Sequence, residues 1–447
     1  MLSLKQIAEQ IGAEYIGNDL PFHGASIDSR TLEPGQVYIA IRREKDGHEF
    51  IADALKKGAA AVVVDHPCEV SVPQVVVPDT LKALGEMAHA WRMQFHIPII
   101  ALTGSCGKTT TKEMIASILR ESGPTLATEG NLNNAYGLPI TLLQLTLRHR
   151  YAVLEMGTNS PGEIDYIARI AEPTVALITN IGASHLEKLG SFEGVSEEKS
   201  DLFLHLRASG IAVLDLTEPF ALSWRSKIDR RHVVTYGDRP EATVRPIDIH
   251  YQNNGVDFSL KTPLGEVSIG IPLPGQHIVK NAVAAAAAAL SVGASLHDIA
   301  AGLAKVQAVP GRFRQVVLKS GCILIDDSYN ASVGAVKNAI ETLAQFPGKK
   351  ILVMSHLGEL GDKMHEFHTK VGEWCVAAHL DTVYFYGDRT LLEPALKACP
   401  AAQYFNDKQK LFDVLQSQLQ AGSMVLIKGV HSQRMDSLVS QIVKEDA

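Results

Sequence analysis

Residues 99–114, IIALTGSCGKTTTKEM, determine how the rest of the chain is interpreted. They combine an apolar strand-like run, a glycine-containing turn and the start of a helical segment. In such a unit the backbone N–H groups of the turn can wrap an anion, and the following helix adds the positive end of its dipole. The usual pattern G-x-x-x-x-G-K-[ST] has a glycine where this chain has Leu102. That glycine only ends the strand, so the stretch still predicts a site for nucleotide phosphates.

The loop residues have separate roles in this interpretation. Gly104 and Gly107 let the backbone approach a phosphate, Lys108 can reach the outer phosphates, and the hydroxyl of Thr109 can hold Mg²⁺. Cys106 is interpreted as a tolerated small residue rather than a nucleophile. The alternative is a simple glycine turn beside a surface lysine. The predicted nucleotide contacts are Thr103, Gly104, Ser105, Cys106, Gly107, Lys108, Thr109 and Thr110.

Composition restricts the class of protein. A chain of 447 residues suggests about three domains of roughly 150 residues. The net charge of −7 argues against a general affinity for nucleic acid, and no apolar run is long enough to span a bilayer. Lys5 and Glu9 interrupt the segment where a signal peptide would be apolar, and the five cysteines form no C-x-x-C pair. We therefore expect a cytoplasmic enzyme without a disulfide framework, a zinc knuckle or a membrane insertion.

The order of the patterns predicts an α/β protein of three domains. Strand-like runs alternate with helical segments from PIIAL onward, which indicates a mostly parallel, doubly wound sheet around the phosphate loop. The alternation restarts at QVVLKSGCILIDD after Pro310-Gly311. We predict a small N-terminal α/β domain over 1–80, a central nucleotide-binding domain over 81–310 and a Rossmann-like α/β domain over 311–447.

Two polar residues follow predicted strands next to the phosphate loop. Glu155 ends the run YAVLE, and His185 follows TVALITN. Ligands of open α/β sheets bind beyond the carboxyl ends of the strands, so both side chains are expected to face the phosphates and hold a metal ion. On its own, His185 could equally be a loop histidine with a structural hydrogen bond.

Lys199 lies in the segment GVSEEKSDLFLHL. Ser196 is suited to cap a helix that begins there, with Glu197 and Glu198 in its first turn. Lys199 then shares a face with Leu202, Phe203 and Leu206, so it is expected to point inward. From the residues alone, it could be a lysine that extends along apolar surface or pairs with a nearby acid.

An ordered set of motifs covers nearly the whole chain, and with it the chain resembles the Mur ligase family of peptidoglycan synthesis. The matching stretches are GASIDSRTLEPGQVYIAI, DGHEFIADALKKGAAAVVV, TGSCGKTTTKEM, EGNLNNAYGLPITLL, LEMGTNSPGEI, TNIGASHLEKLGS, GQHIVKNAVAAAAAAL, PGRF and IDDSYNA.

The resemblance implies an ATP-dependent ligase, and most closely the family member that joins D-alanyl-D-alanine to a UDP-MurNAc-tripeptide. The γ-phosphoryl group of ATP would activate the tripeptide carboxylate as an acyl phosphate, which the dipeptide amine then attacks. Such a step depends on positioning and charge neutralisation. The resemblance further implies two Mg²⁺ ions held by Thr109, Glu155, His185 and a carbamylated Lys199. We expect small-molecule substrates and a monomer.

The resemblance also assigns residues to roles by position. It places His277 and Asn281 near the adenine, Arg312 near the γ-phosphate and Asp327 near the ribose, with Tyr329 and Asn330 beside it. Asn133 and Asn134 would border the acceptor and phosphate region. Ser26, Asp28, Ser29 and Arg30 would bind the uridine diphosphate. The catalytic set would be Lys108, His185, Lys199 and Arg312. The alternatives are turn roles for the two asparagines and a surface ion pair for Asp28 and Arg30.

Four stretches depart from the family pattern. The usual Y-N-A-N-P is YNASV over 329–333, G-D is Ser355-His356, and K-G-S-R is KGVH over 428–431. The N-terminal IRREKDGH differs from G-E-R-x-D-G-H. Three of the four lie in the C-terminal domain, which the resemblance assigns to the incoming dipeptide. The dipeptide assignment therefore depends on fewer matching residues than the assignments of the other substrates.

Other functions remain as alternatives. The relatives that add L-alanine or D-glutamate carry a dinucleotide-type glycine motif that residues 1–80 lack, and the ligase that adds the third residue carries a D-N-P-R-like stretch absent here. Folylpolyglutamate synthetase lacks such an N-terminal domain. A phosphate-loop switch without ligase activity would not need Glu155, His185 and Lys199 together with Lys108. The third residue of the donor tripeptide is left open.

Overall fold

The computed structural model describes residues 2–229 and 231–446. Its strands form four sheets, three of them parallel or mostly parallel. The predicted α/β fold class is therefore confirmed. In the part of the chain so described, no helix combines the length and apolar character needed to cross a membrane.

The first sheet contains five strands in the order β1-β5-β4-β3-β2. Only β1 runs antiparallel to its neighbour. The elements are α1 Leu4–Gln10, β1 Glu14–Ile16, β2 Ala25–Ser26, β3 Val37–Ile39, a 3₁₀ turn Gly47–Phe50, α2 Ile51–Lys56, β4 Ala61–Val64 and β5 Gln74–Val76.

The second sheet is entirely parallel and has the order β11-β10-β9-β6-β8-β7. The strand β6, which leads into the phosphate loop, is buried along its whole length, as expected for a central strand with helices on both faces. The elements are α3 Thr80–Arg92, β6 Ile99–Thr103, α4 Lys108–Ser122, β7 Thr125–Ala127, α5 Gly137–Leu143, β8 Tyr151–Glu155, α6 Glu163–Ala171, β9 Val175–Ile178, α7 Leu186–Leu189, α8 Phe192–Ser200, a 3₁₀ turn Asp201–His205, β10 Ile211–Asp215, α9 Arg225–Ile228 and β11 His232–Tyr236.

A three-stranded antiparallel sheet follows, and the sequence analysis did not predict it. It consists of β12 Arg245–Gln252, β13 Gly255–Thr262 and β14 Gly265–Ile271, followed by α10 Gln276–Leu290 and α11 Leu296–Ala304. The alanine run of α10 is buried and packs against α4 in one apolar core. This contact places the start of α10 beside the phosphate loop.

The fourth sheet has the order β15-β16-β20-β17-β18-β19, with only β15 antiparallel. Its elements are β15 Arg314–Val317, β16 Ile323–Asp327, α12 Val333–Gln345, β17 Lys349–Ser355, a 3₁₀ turn Gly361–Lys363, α13 Met364–Ala377, β18 Thr382–Tyr386, α14 Arg389–Ala398, β19 Gln403–Phe405, α15 Lys408–Gln416, β20 Ser423–Lys428, a 3₁₀ turn His431–Gln433 and α16 Met435–Asp446. The loops at the carboxyl ends of β16, β17 and β20 face the phosphate loop across a cavity.

Candidate active site

The phosphate loop joins β6 to α4 and is held by the end of β9. The amide of Cys106 donates to Asn180 Oδ1 at 2.9 Å. The carbonyl oxygen of Cys106 accepts from Thr179 Oγ1 at 2.6 Å and from Asn180 Nδ2 at 3.0 Å. Gly107 has a φ of +78° and precedes the first residue of α4. The loop therefore lies at the N-terminal end of a helix, where an anion is favoured.

Lys108 and Arg312 bring two cations to this loop. The ammonium of Lys108 donates to the carbonyl of Gly104 at 2.7 Å, and burial lowers its pKa. Arg312 approaches from the start of the C-terminal part, and its Nη2 lies 3.5 Å from Thr109 Oγ1. The guanidinium of Arg312 also lies over the ring of Tyr329, with 4.1 Å between its carbon and the ring centroid. Two cations from separate sheets can thus neutralise one phosphate chain.

Glu155 ends β8 and is only 2% exposed. Its Oε1 accepts from Asn133 Nδ2 at 2.8 Å, whereas its Oε2 is buried without a hydrogen-bond partner among the described residues. A buried carboxylate oxygen without a partner is costly, because it has lost its water and gained no donor in exchange. A cation beside Oε2 would remove this cost, which fits the predicted role of Glu155 as a metal ligand.

Lys199 is fully buried, as predicted, but the helix around it begins earlier than predicted. Ser191, not Ser196, is the N-cap of α8, because its hydroxyl accepts from the amide of Gly194. Ser196 is buried and accepts from Trp224 Nε1 at 2.9 Å. The prediction of a cap at Ser196 is therefore wrong.

The ammonium of Lys199 is buried, and within residues 2–229 and 231–446 it has no hydrogen-bond partner. The alternative of a pair with a nearby acid is not observed, since the neighbouring Glu198 accepts instead from Thr158 and from the amides of Gly162 and Ile164. Burial, together with the positive charge of Lys108, lowers the pKa of Lys199 to about 7. A large share of this amine is neutral near pH 7.

A cavity of about 490 Å³ extends from the loop along the start of α10. This volume is within the range of sites that hold small ligands. His277 is half-buried with its Nδ1 atom enclosed, and desolvation lowers the pKa of its ring to about 4, so the ring is neutral at pH 7. Asp327 at the far wall is paired with Lys428, whose Nζ lies 2.5 Å from Asp327 Oδ2. The predicted residues lining this cavity are Cys106, Gly107, Thr110, His277, Asn281, Arg312 and Asp327.

A second cavity, of about 440 Å³, lies on the other side of Arg312. The phosphate loop forms one wall and the loops of the C-terminal sheet form the other. The predicted residues lining it are Ser105, Cys106, Gly107, Lys108, Thr109, Thr110, His185, Arg312 and Asn330. His356 and His431, two of the departures from the family pattern, line it as well. The shared loop and Arg312 connect the two cavities.

The N-terminal set does not line either of these cavities. Arg30 forms an ion pair with Asp28 at 2.7 Å, and Ser26 Oγ donates to the carbonyl of Asp28 at 3.0 Å. Ser29, which lies between these two residues in the sequence, is buried. The ion-pair alternative for Asp28 and Arg30 is thus observed.

The two asparagines after β7 differ in their contacts. Asn133 contacts Glu155, whereas Asn134 Oδ1 accepts from the amides of Tyr136 and Gly137. The turn alternative therefore applies to Asn134.

Sequence reasoning missed Thr179, Asn180 and Lys428 at this site. The first two follow β9 directly, and the rule that placed His185 beyond that strand applies to them too. Lys428 ends β20, which pairs with β16, so Asp327 lies directly opposite it in the register. No local pattern in the sequence indicates that pairing.

Gly107→Ala is expected to weaken ADP binding by about tenfold, equivalent to about 1.4 kcal/mol. A Cβ at this position would lie 2.7 Å from Asn281 Oδ1, so the loop or Asn281 must move. Gly190→Ala is a matched control, because Gly190 has the same φ of +78° but no atom near its Cβ position. Calorimetric titration with ADP should give unchanged affinity for the control, and equal affinity in both variants would contradict the prediction.

The α/β fold, the phosphate loop and the cations Lys108 and Arg312 beside it define a phosphate-loop nucleotide-binding protein. Three family models match successive parts of the chain: the Mur ligase family catalytic domain over 21–92, the Mur ligase middle domain over 102–289 and the Mur ligase glutamate ligase domain over 311–431. UDP-N-acetylmuramoyl-tripeptide–D-alanyl-D-alanine ligase from Escherichia coli K12 is 39% identical over 98% of this chain and 97% of its own length. The chain belongs to the Mur ligase family.

Solved structures are similar over the same length. MurF from Acinetobacter baumannii superimposes with a TM-score of 0.90 and 34% identity, covering 98% of each chain. MurF ligase from Thermotoga maritima in complex with ADP gives a TM-score of 0.81 and 29% identity, covering 95% of this chain and 97% of its own. The resemblance deduced from the sequence motifs is confirmed.

Proposed function

We propose that this chain is the ATP-dependent ligase that joins D-alanyl-D-alanine to a UDP-MurNAc-tripeptide, forming ADP and phosphate. The observation that carries the proposal is the convergence of Lys108, Thr109, His185 and Arg312 on one cavity, with the buried Glu155 at the adjacent strand end. Similarity to relatives with this activity over their full length supports the choice of substrates.

In this proposal each part of the chain binds one substrate. Residues 1–80 hold the UDP-sugar through Ser26, Asp28, Ser29 and Arg30. Residues 81–310 bind ATP, and residues 311–447 bind the incoming dipeptide beside Tyr329 and Asn330. The adenosine would occupy the larger cavity, where the neutral ring of His277 and the amide of Asn281 suit an uncharged base. Asp327 can accept from the ribose hydroxyls.

The reaction has two covalent steps. A carboxylate oxygen of the tripeptide attacks the γ-phosphorus of ATP, and the bond to the β-phosphate oxygen breaks to give ADP and an acyl phosphate. The free amine of the dipeptide then attacks the acyl carbon. The tetrahedral intermediate loses a proton from nitrogen and expels phosphate, which leaves an amide. Lys108 and Arg312 neutralise the phosphoryl oxygens, where negative charge is greatest, and hold them in line for attack.

The residues present suit Mg²⁺, which prefers oxygen ligands. Thr109 offers a hydroxyl, Glu155 a carboxylate with a free buried oxygen, and His185 an imidazole nitrogen. Carbamylation would convert the unpartnered amine of Lys199 into a further carboxylate-like ligand. Two Mg²⁺ ions held here would supply neutralisation of the phosphate charge.

We also place the protein in the cytoplasm as a monomer. All five cysteines are free, which suits a reducing compartment.

Phosphate release is expected to require ATP, the UDP-MurNAc-tripeptide and D-alanyl-D-alanine together, because the acyl phosphate must be trapped by an amine. The measurement is a continuous phosphate assay that omits one substrate at a time, with mass detection of the UDP-pentapeptide. Omission of the dipeptide should reduce release to background. Equal turnover with ATP alone would identify a nucleotidase or switch instead of a ligase.

A further inference from the structure

One contact joins the central and the C-terminal sheets at the side chain of His185. Nδ1 of His185 lies 2.7 Å from Oε2 of Glu359. His185 follows β9 of the central sheet, whereas Glu359 follows β17 of the C-terminal sheet. The backbone supports the contact, because the amide of Glu187 donates to the carbonyl of Glu359 at 3.2 Å. The two loops therefore meet through both side chain and main chain.

Both residues of this pair have a backbone conformation that side chains rarely adopt. The φ angle is +53° at His185 and +60° at Glu359. A non-glycine residue in this region is strained and persists only where the surroundings impose it. Such strain concentrates at functional sites, so its presence at both ends of one hydrogen bond points to a role for the contact.

The direction of the hydrogen bond determines which nitrogen of His185 is available. A carboxylate only accepts, so Nδ1 must carry the proton. Nε2 is then the atom with a free lone pair. Histidine ligands of metals commonly donate their other N–H to a carboxylate, which fixes the ring orientation and increases the basicity of the ligating nitrogen. His185 and Glu359 both line the smaller cavity next to Thr109.

We propose that Glu359 is a positioning residue that orients His185 and fixes its tautomer for a divalent cation at the smaller cavity. This inference rests on the metal role of His185 in the proposed function. Glu359 does not itself touch the phosphates in this scheme, since it acts through the imidazole. The contact between Glu359 and His185 also makes the metal site depend on a loop of the C-terminal sheet.

An ordinary surface ion pair would behave differently. The side chain of Glu359 is 60% exposed, and exposed pairs contribute little to stability. Glu393 is an internal standard, because it is 59% exposed in the same C-terminal part and pairs with Lys397 at 2.9 Å. Removal of either carboxylate should leave the melting temperature nearly unchanged, and only removal of Glu359 should change metal binding.

The test measures Mn²⁺ binding to the full chain with saturating ADP by electron paramagnetic resonance, alongside the Mg²⁺ concentration that gives half-maximal turnover. Glu359→Ala should weaken Mn²⁺ binding by about 10–100-fold. Glu359→Gln should recover much of this loss, because its amide oxygen still accepts from Nδ1. Glu393→Ala should match the wild type. Unchanged Mn²⁺ affinity in Glu359→Ala would overturn the proposal.

A His185→Ala variant separates this inference from the proposed function. If it loses Mn²⁺ affinity while Glu359→Ala does not, His185 holds the metal without help from Glu359, and only the present inference fails. If Mn²⁺ affinity is unaffected by His185→Ala, the metal role of His185 is wrong, and the inference fails with it.

Discussion

Lys108→Ala is expected to reduce ligase turnover by about 10³-fold while the protein remains folded. The ammonium of Lys108 lies at the phosphate loop, where its hydrogen-bond partner is the Gly104 carbonyl. The variant removes a positive charge next to the transferred phosphoryl group, and that charge is needed most in the transition state. It removes little packing, because Lys108 is only partly buried by its neighbours.

The measurement combines the phosphate assay with thermal unfolding. Lys108→Met is the matched control for packing, because it keeps an unbranched side chain of similar length without the charge. Both variants should show the same loss of turnover and a melting temperature near that of the wild type. Near-full activity in Lys108→Ala would show that this loop does not bind the reacting phosphates.

The parts of the fold that were predicted from sequence are those with strong local patterns. The strand β6 is an uninterrupted apolar run followed by glycines, and both features can be seen without any knowledge of tertiary contacts. The strands β12 to β14 were missed; in β12, polar residues are mixed with Ile247, Ile249 and Tyr251, and half of the residues are exposed. Two serines, Ser191 and Ser196, could each cap a helix near Lys199, and only the observed hydrogen bond distinguishes them.

The site residues that could be predicted from the sequence are those whose positions follow from the carboxyl ends of strands. Glu155 ends β8 and His185 follows β9, the two neighbours of β6 in the sheet, so the carboxyl-end rule predicts both beside the loop. In the structure His185 lines the smaller cavity together with the loop, and Glu155 lies buried at the end of its strand. Glu359 was not assigned, because it reaches His185 from a loop of the C-terminal sheet. Lys428 was not assigned, because it meets Asp327 only through the pairing of β20 with β16. Such contacts have no signature in sequence spacing.

Lys199→Ala is expected to reduce turnover by about 10²–10³-fold, and a short carboxylate such as acetate is expected to restore part of it. The amine of Lys199 is fully buried and has no hydrogen-bond partner, so as a cation it is costly where it lies. Its pKa of about 7 leaves neutral amine that can combine with CO₂ and release a proton. In the proposed function, the carbamate so formed would carry the negative charge that a metal ion held by Glu155 and His185 needs.

The rescue experiment separates the carbamate from an ordinary lysine. If Lys199 acts as an anion, acetate should restore activity to the alanine variant, and methylamine should not. If Lys199 contacts phosphate as a cation, methylamine should rescue instead. Lys397→Ala, which removes an exposed lysine from an ion pair on α14, should respond to neither additive. Labelled bicarbonate gives a direct measurement, because a carbamate signal in the NMR spectrum of the wild type should disappear in Lys199→Ala. A wild-type protein that turns over fully with no such signal would rule out the carbamate, because Lys199 would then act unmodified.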